Sequence, residues 1–406
     1  MKQSHIDWCP MIPDHWEEKR IKDIAFLQSG NSITAMDFVE DGKYPVYGGN
    51  GLRGHINSYT NDGDHVLIGR VGALCGNINY AHGKFFASEH AIVVYPKNNA
   101  EVTFWLGETL RAANFNRLSM TAAQPALAVG SLNLQFIPYP PKAERIRIAK
   151  YLDTKLSEIS HQVSLLTSKR DAYLRLKKSI INHAVTHGLN PNVKMKDSGI
   201  EWIGEVPEHW EVKRIKDIGK LKLGKMLTTQ NRKGLYLKLF LKARNIGWGN
   251  LILDSIEEMY FSTSELNDLR ICKGDLLFTE GGEVGKTSIW NDEIPECYLQ
   301  NSVQKLTVKK EYYSKYYLYL SMNYGAKGYY NSIVNLVSIK HLTNEKLRQV
   351  KVLVPPIPEQ RAIAAYLDNK CTKIDTIVSN LDKQISRYAD LKRALIDEVI
   401  TGKRAV

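Results

Sequence analysis

MKQSHIDWCPMIPDHWEEKRIKDIAFLQSG (1–30) decides how this chain is built. It returns as MKDSGIEWIGEVPEHWEVKRIKDIGKLKLG (195–224), with 17 of 30 positions identical at a constant offset of 194. A second pair of copies follows: PPKAERIRIAKYLDTK (140–155) returns as PPIPEQRAIAAYLDNK (355–370), with 9 of 16 identical and the offset grown to 215. Between the copies lie 31–139 and 225–354, stretches of 109 and 130 residues with little visible likeness. A period of roughly 200 residues is far too long for a solenoid, so the repeat is a duplicated domain. A copied framework around diverged middles implies one scaffold carrying two different recognition surfaces.

Working outward from the repeat, the 406 residues fit two to three domains, and each half is long enough to bury its own core. With 43% hydrophobic and 24% charged residues the chain is ordinary globular material, which excludes a disordered or low-complexity protein. The 55 Lys and Arg exceed the 43 Asp and Glu, a formal charge of +12 that fits a polyanionic partner or simply a basic solvated surface. Cys9, Cys75, Cys272, Cys297 and Cys371 are odd in number and scattered, without metal-ligand spacing, and read as thiols in a reducing cytoplasm. Neither a signal pattern nor an apolar run near the ~20 residues that cross a bilayer is present, so the expected location is cytoplasmic, away from membranes.

After Pro140-Pro141 the spacing predicts one helix over 144–187. Leu152, Leu156, Ile159, Val163 and Leu166 alternate steps of four and three, continued by Tyr173, Ile180 and Ala184, with Arg170 and Lys177 at seam positions. After Pro355-Pro356 and Pro358, a second helix is predicted over 359–401. Its seam is Ile363, Leu367, Ile374, Val378, Leu381, Ile385, Tyr388, Leu395 and Val399. Helices this long cannot bury their stripes on one small domain, so the stripes should bury each other. Periodicity does not fix whether they pair within one chain or between chains, but two copies in one chain make the intramolecular pair the first expectation, antiparallel given the pseudo-twofold repeat. The middles read as mixtures. HVLIG (65–69), AIVVYP (91–96), DLLFT (275–279) and KLTVKK (305–310) look like strands, and 102–115 and 313–326 like helices. The expected architecture is therefore α+β: two globular mixed domains separated by two long antiparallel coiled-coil helices, partitioned as 1–142, 143–190, 191–356 and 357–406.

Catalytic motifs fail on spacing. GGEVGKT (281–287) resembles a phosphate loop, but Glu280 stands where its first glycine is needed and Gly281 is one residue too close. Pro13-Asp14 with Glu17, Glu18 and Lys19 spells a nuclease motif, yet so short a gap cannot supply carboxylates converging from different strands. A base-amine methyltransferase would carry Asn or Asp before Pro-Pro, where this chain has Tyr139 and Val354. His15-Trp16 and His209-Trp210 read as packing anchors rather than catalytic histidines. Lys19, Arg20 and Lys22, repeated as Lys213, Arg214 and Lys216, read either as phosphate contacts or as a solvated face. No catalytic residue, metal site or cofactor is expected.

GLNPNVKMKDSGIEWIGEVPEHWEVKRIKDI (188–218), the paired Pro-Pro helix starts and LKRALIDEVITGK (391–403) together resemble the specificity subunit of type I restriction-modification systems. The resemblance covers the whole chain, and it implies a non-catalytic subunit. Each variable domain would read one half of a bipartite sequence in double-stranded DNA, and the antiparallel helices would set the spacing. Two modification subunits, which use S-adenosylmethionine to methylate adenine, would dock on it, and restriction subunits would complete the complex. Cys9-Pro10-Met11 departs from Ile203-Gly204-Glu205 of the second copy, which leaves the local turn geometry of the first copy open but not the resemblance. Arg suits guanine, and Asn or Gln suits adenine, so loops rich in these are the candidate base readers. They are Asn50, Arg53, Arg70 and Gln124 in the first domain, and Arg244, Asn245, Lys286, Gln300 and Asn301 in the second. For each, an ordinary loop role is the alternative. A rival from another class is a protein-tethering scaffold that never touches DNA.

Overall fold

The computed structural model describes residues 1–97, 102–119, 125–334 and 341–406. Two long helices organise it: α1 (Lys142–His187) and α2 (Ile357–Ile400). Each starts where prolines remove backbone donors, carries a glutamate in its first turn (Glu144, Glu359), and ends against a glycine at positive φ: +75° at Gly188 and +71° at Gly402. The chain divides into two compact units, 1–167 with 382–406 and 168–381, so each unit owns part of both helices.

In unit 1 the beginning of α1 packs with the end of α2. Leu152, Leu156 and Ile159 share a core with Leu395, Ile396, Val399 and Ile400. In unit 2 the end of α1 packs with the beginning of α2, as Ile181, Ala184 and Val185 join Ile363, Leu367 and Cys371. Start meets end in both cases, which is the expected antiparallel pairing. Between these ends Ile374 and Leu381 stay buried, whereas Val163, Tyr173, Val378 and Ile385 are only half-buried. The polar seam position Lys177 is accommodated by an ion pair to Asp375 at 2.6 Å. Each fully buried aliphatic side chain contributes roughly 1.5–3 kcal/mol, so most of the helix-pair stability lies at the ends, where the globular cores add further apolar contacts.

The repeated His-Trp segment locks those ends. In unit 1, His15 Nε2 lies 3.0 Å from Glu144 in the first turn of α1, while Trp16 is fully buried beneath Gly402 just past the end of α2. In unit 2, His209 Nε2 lies 2.8 Å from Glu359 in the first turn of α2, and Trp210 packs under Gly188 just past the end of α1. A packing anchor is what the sequence predicts, and the added finding is that each anchor grips one helix start and one helix end.

The middles share one topology. Unit 1 contains β1 (Ala25–Ser29), β2 (Tyr44–Gly48), β3 (Gly51–Ile56), β4 (His65–Gly69), β5 (Ile78–Ala81), β6 (Phe86–Ala87) and β7 (Ala91–Pro96). They form a four-stranded sheet ordered β1-β7-β4-β5 and a three-stranded sheet ordered β3-β2-β6, in which β2 and β6 run parallel. Unit 2 contains β8 (Gly219–Leu223), β9 (Leu235–Leu241), β10 (Glu257–Ser262), β11 (Leu276–Thr279), β12 (Thr287–Ile289), β13 (Tyr298–Leu299) and β14 (Val303–Val308). Their orders are β8-β14-β11-β12 and β10-β9-β13, with β9 and β13 parallel. Short helices, Thr103–Ala112 in unit 1 and Ser314–Ala326 in unit 2, follow the last strands.

The framework turns, whose geometry the sequence leaves open, differ. Lys2–Ile6 pairs with Cys9–Ile12 in a tight hairpin, whereas Met195–Asp197 pairs with Glu205–Pro207 across a wider loop. Gly204 takes a φ of +74° there, a conformation closed to Pro10 at the equivalent position of the first copy. All five cysteines are free, and only Cys272 is exposed. No helix among the described residues is long and apolar enough to cross a membrane.

Candidate nucleic-acid interface

Backbone hydrogen bonds align the diverged middles residue by residue. Ser88 N donates to Tyr47 O in unit 1 as Gln300 N donates to Leu241 O in unit 2. Arg70 N donates to His90 O as Glu280 N donates to Ser302 O, and Leu127 N to Arg70 O as Leu342 N to Glu280 O. Gly30 and Gly224 cross these turns so closely that a Cβ would stand 2.3 Å and 2.4 Å from a carbonyl oxygen of Ala87 and Gln300. Only glycine fits there, which is why it ends both copies of the repeated segment. The longer second middle is explained mainly at one place: 39 residues separate Leu241 from Glu280 where 23 separate Tyr47 from Arg70, an insertion of 16.

Three segments converge at one edge of each unit: the end of β2 or β9, the turn after β4 or β11, and the turn before β7 or β14. In unit 1 this edge holds Asn50, Arg53, Arg70 and His90. An open groove of about 490 Å³ is lined by Gly49, Asn50, Leu52, Arg53, Leu74 and His90, among others. Asn50 Oδ1 accepts from Asn77 Nδ2 at 2.9 Å, leaving its own amide nitrogen without a partner among the described residues. The Arg53 guanidinium has no ion pair among the described residues and lies 5.7 Å over the Phe38 ring. Arg70 is half-buried and reaches Glu89 O at 3.4 Å. Gln124 lies outside the described residues.

In unit 2 the same edge has other chemistry. Glu280 replaces Arg70, and burial raises its carboxyl above the usual carboxylate range, partly offset by His341. Gly76 N bonds to Gly69 O as Gly285 N bonds to Thr279 O, and Cys75 and Val284 are both buried, so Leu74 corresponds to Glu283 and Asn77 to Lys286. Lys286 Nζ holds Glu283 at 2.7 Å, and Trp248 Nε1 donates to the same carboxylate at 2.8 Å. Residues 281–287 thus form an antiparallel hairpin turn, in which Thr279 N donates to Lys286 O at 3.0 Å. A phosphate loop needs a helix to follow, and here a strand does.

The remaining candidates divide. Arg244 is exposed at the edge of the insertion but pairs with Glu257 at 2.8 Å. Gln300 Nε2 donates to Asn301 Oδ1 at 2.5 Å, and Gln300 Oε1 accepts from Ser302 N at 3.1 Å, so both are half-occupied by each other and the turn. Asn245 is corrected outright: it is 2% exposed, its Nδ2 donates to Ile252 O at 2.9 Å, and its Oδ1 accepts from Lys242 N at 3.0 Å. It closes a loop and has no edge left for a base. Residues that composition of the loops did not single out, His90, Leu52, Leu74, Glu280 and Glu283, reach this edge through strand pairing alone. Lys19 and Arg20 are elsewhere, over the rings of Tyr139 at 4.1 Å and Phe136 at 5.1 Å.

The family model described as type I restriction modification DNA specificity domain matches residues 13–164 and 207–387, one copy in each repeat. The chain belongs to that family. Its members are specificity subunits, DNA-recognising rather than catalytic. Among curated relatives, the type I restriction enzyme EcoprrI specificity subunit of Escherichia coli is 34% identical over 169 residues, which are 41% of this chain and 42% of the relative. The MjaVIII specificity subunit of Methanocaldococcus jannaschii is 24% identical over 97% of this chain and 93% of its own. A solved chain from a study of complex assembly and conformational transition in the type I R-M system has a TM-score of 0.71 at 14% identity, covering 97% of this chain and 100% of that one. The HsdS subunit of Thermoanaerobacter tengcongensis matches at 0.51 and 16%, covering 97% and 98%. At such identities these structures speak for the fold alone.

Proposed function

We propose that this specificity subunit reads a bipartite duplex sequence, unit 1 one half and unit 2 the other, while α1 and α2, each running through both units, fix the spacing and receive two modification subunits. The restriction subunits join that assembly, and the working location is the cytoplasm, where duplex DNA is met. One observation carries the reading: the same sheet edge recurs in both units with its backbone bonds kept and its side chains exchanged, Arg70 for Glu280 and Leu74 for Glu283. That is the pattern expected where scaffold positions and side chains specify. The contacts proposed are Asn50, Arg53, Arg70 and Gln124 in unit 1, and Arg244, Lys286, Gln300 and Asn301 in unit 2, joined there by Glu280 at the position of Arg70. The excess of basic residues supplies the phosphate attraction.

The test is binding of the chain, assembled with its modification subunits, to duplex DNA over a range of salt. Affinity that falls steeply and linearly in log salt, with one sequence preferred over others, is expected. Absent or salt-insensitive binding would instead support a protein-tethering scaffold.

A further inference from the structure

We infer that the groove of unit 1 recognises the 5-methyl group of a thymine in its half-site, with Leu52 and Leu74 as the apolar contacts and Asn50 and Arg53 as the donors beside them. This deepens the DNA-recognition reading and rests on it.

Leu52 is 58% exposed and Leu74 51%. Single aliphatic side chains scattered over a surface need no explanation. These two project from different segments, β3 and the turn after β4, and line the same open groove of about 490 Å³. The turns that carry them are fixed. Asn77 holds the β2–β3 turn through Asn50 at 2.9 Å, and Gly51 there has a φ of +94°. The other turn is closed by Cys75 N donating to Gly72 O at 2.9 Å and Gly72 N donating to Pro125 O at 2.9 Å. Ordering two leucines in water gains nothing for the fold, whereas a pre-positioned apolar wall lowers the cost of binding.

The polar neighbours narrow the occupant. The amide nitrogen of Asn50 and the guanidinium of Arg53 are N–H donors with no hydrogen-bond partner among the described residues. In the major groove, thymine presents a methyl group next to the O4 acceptor. Guanine presents two acceptors and no methyl, adenine one acceptor and one donor, and cytosine a donor. The free donors alone would also serve guanine, and it is the wall of aliphatic tips beside them that selects thymine. Unit 2 has no such wall at the corresponding turn: Glu283 stands where unit 1 has Leu74, held by Lys286 at 2.7 Å. The inference therefore belongs to unit 1 alone.

The experiment uses the complex with its modification subunits and duplexes carrying its own target, read from the methylated adenines of a host genome. Each thymine of the half-site assigned to unit 1 is replaced by 2′-deoxyuridine, which removes only the methyl. One position should weaken binding about fourfold, the factor expected when one methyl-sized apolar group loses its burial. The Leu52→Ala, Leu74→Ala double variant should bind the thymine and uracil duplexes equally well. Unchanged affinity of the unsubstituted complex for every uracil duplex would overturn the inference, as would a half-site without thymine on either strand. A double variant that retains the full uracil penalty would assign the methyl to other residues and overturn it too. Sequence-specific binding that persists through those results leaves the DNA-recognition reading standing, while loss of all preference in the unsubstituted complex takes both down.

Discussion

Residues 31–139 and 225–354 agree where backbone meets backbone and disagree where side chains meet solvent. Gly30, Ser88 and Arg70 make the same main-chain bonds as Gly224, Gln300 and Glu280, yet an arginine in one unit is a glutamate in the other and an exposed leucine is a carboxylate. Strand pairing asks little of side-chain identity beyond alternating burial, so a sheet edge tolerates nearly any residue that points outward. Where two turns cross within van der Waals contact the tolerance vanishes, and glycine is kept. At this edge the difference between the units thus lies in what a ligand would meet.

If the anchors are equivalent, Trp16→Ala and Trp210→Ala should each cost about 3–5 kcal/mol, because both indoles are fully buried under a helix end. Denaturant unfolding of the two variants should give similar losses. A silent substitution at either position would break the equivalence. Next in size are Gly30→Ala and Gly224→Ala, which push a Cβ against a carbonyl at 2.3 Å and 2.4 Å and should each cost about 1–3 kcal/mol. A variant as stable as the parent would show that the crossing is looser than the pairing implies.

At the edge itself the effect should move from stability to recognition. Glu280→Gln should leave the melting temperature nearly unchanged while relaxing discrimination at one base pair by about 1–3 kcal/mol, measured as relative affinity for single-base variants of the target. A matching loss of thermal stability would mark Glu280 as a fold residue. The smallest difference concerns the helix-start glutamates. Trp210 Nε1 donates to Glu359 at 3.1 Å, whereas Trp16 Nε1 has no partner among the described residues. Glu359→Ala should therefore be the more damaging of the pair by about 1 kcal/mol, with Glu144→Ala losing little beyond its hydrogen bond to the exposed His15. Equal losses would show that the indole bond contributes nothing.

Much of the frame was legible beforehand, for physical reasons. Proline pairs and terminal glycines bound both long helices to within two residues, and seam spacing found their buried faces. HVLIG and AIVVYP are strands over the residues read as such, because their β-branched runs fit no helix face. Sheet order was beyond reach, since nothing in a strand's own sequence names its neighbour. That order is what aligns Arg70 with Glu280. The candidate site was legible in part: Asn50 and Arg53 do share a groove, but Asn245 closes a loop, and an amide that caps backbone looks the same in sequence as one that reads a base. Leu52 and Leu74 carry no polar signal, so a search for hydrogen-bonding side chains passes over them.

The central claim is that each unit governs one half of the recognised sequence. Residues 31–139 are exchanged for the corresponding segment of another family member, within the framework kept by 1–30 and by α1 and α2, and methylated adenines are mapped across the genome of a host carrying this chain and its modification subunits. One half-site should change and the other should stay as it was, at the same spacing. An exchange that alters both half-sites, or neither, would contradict the account.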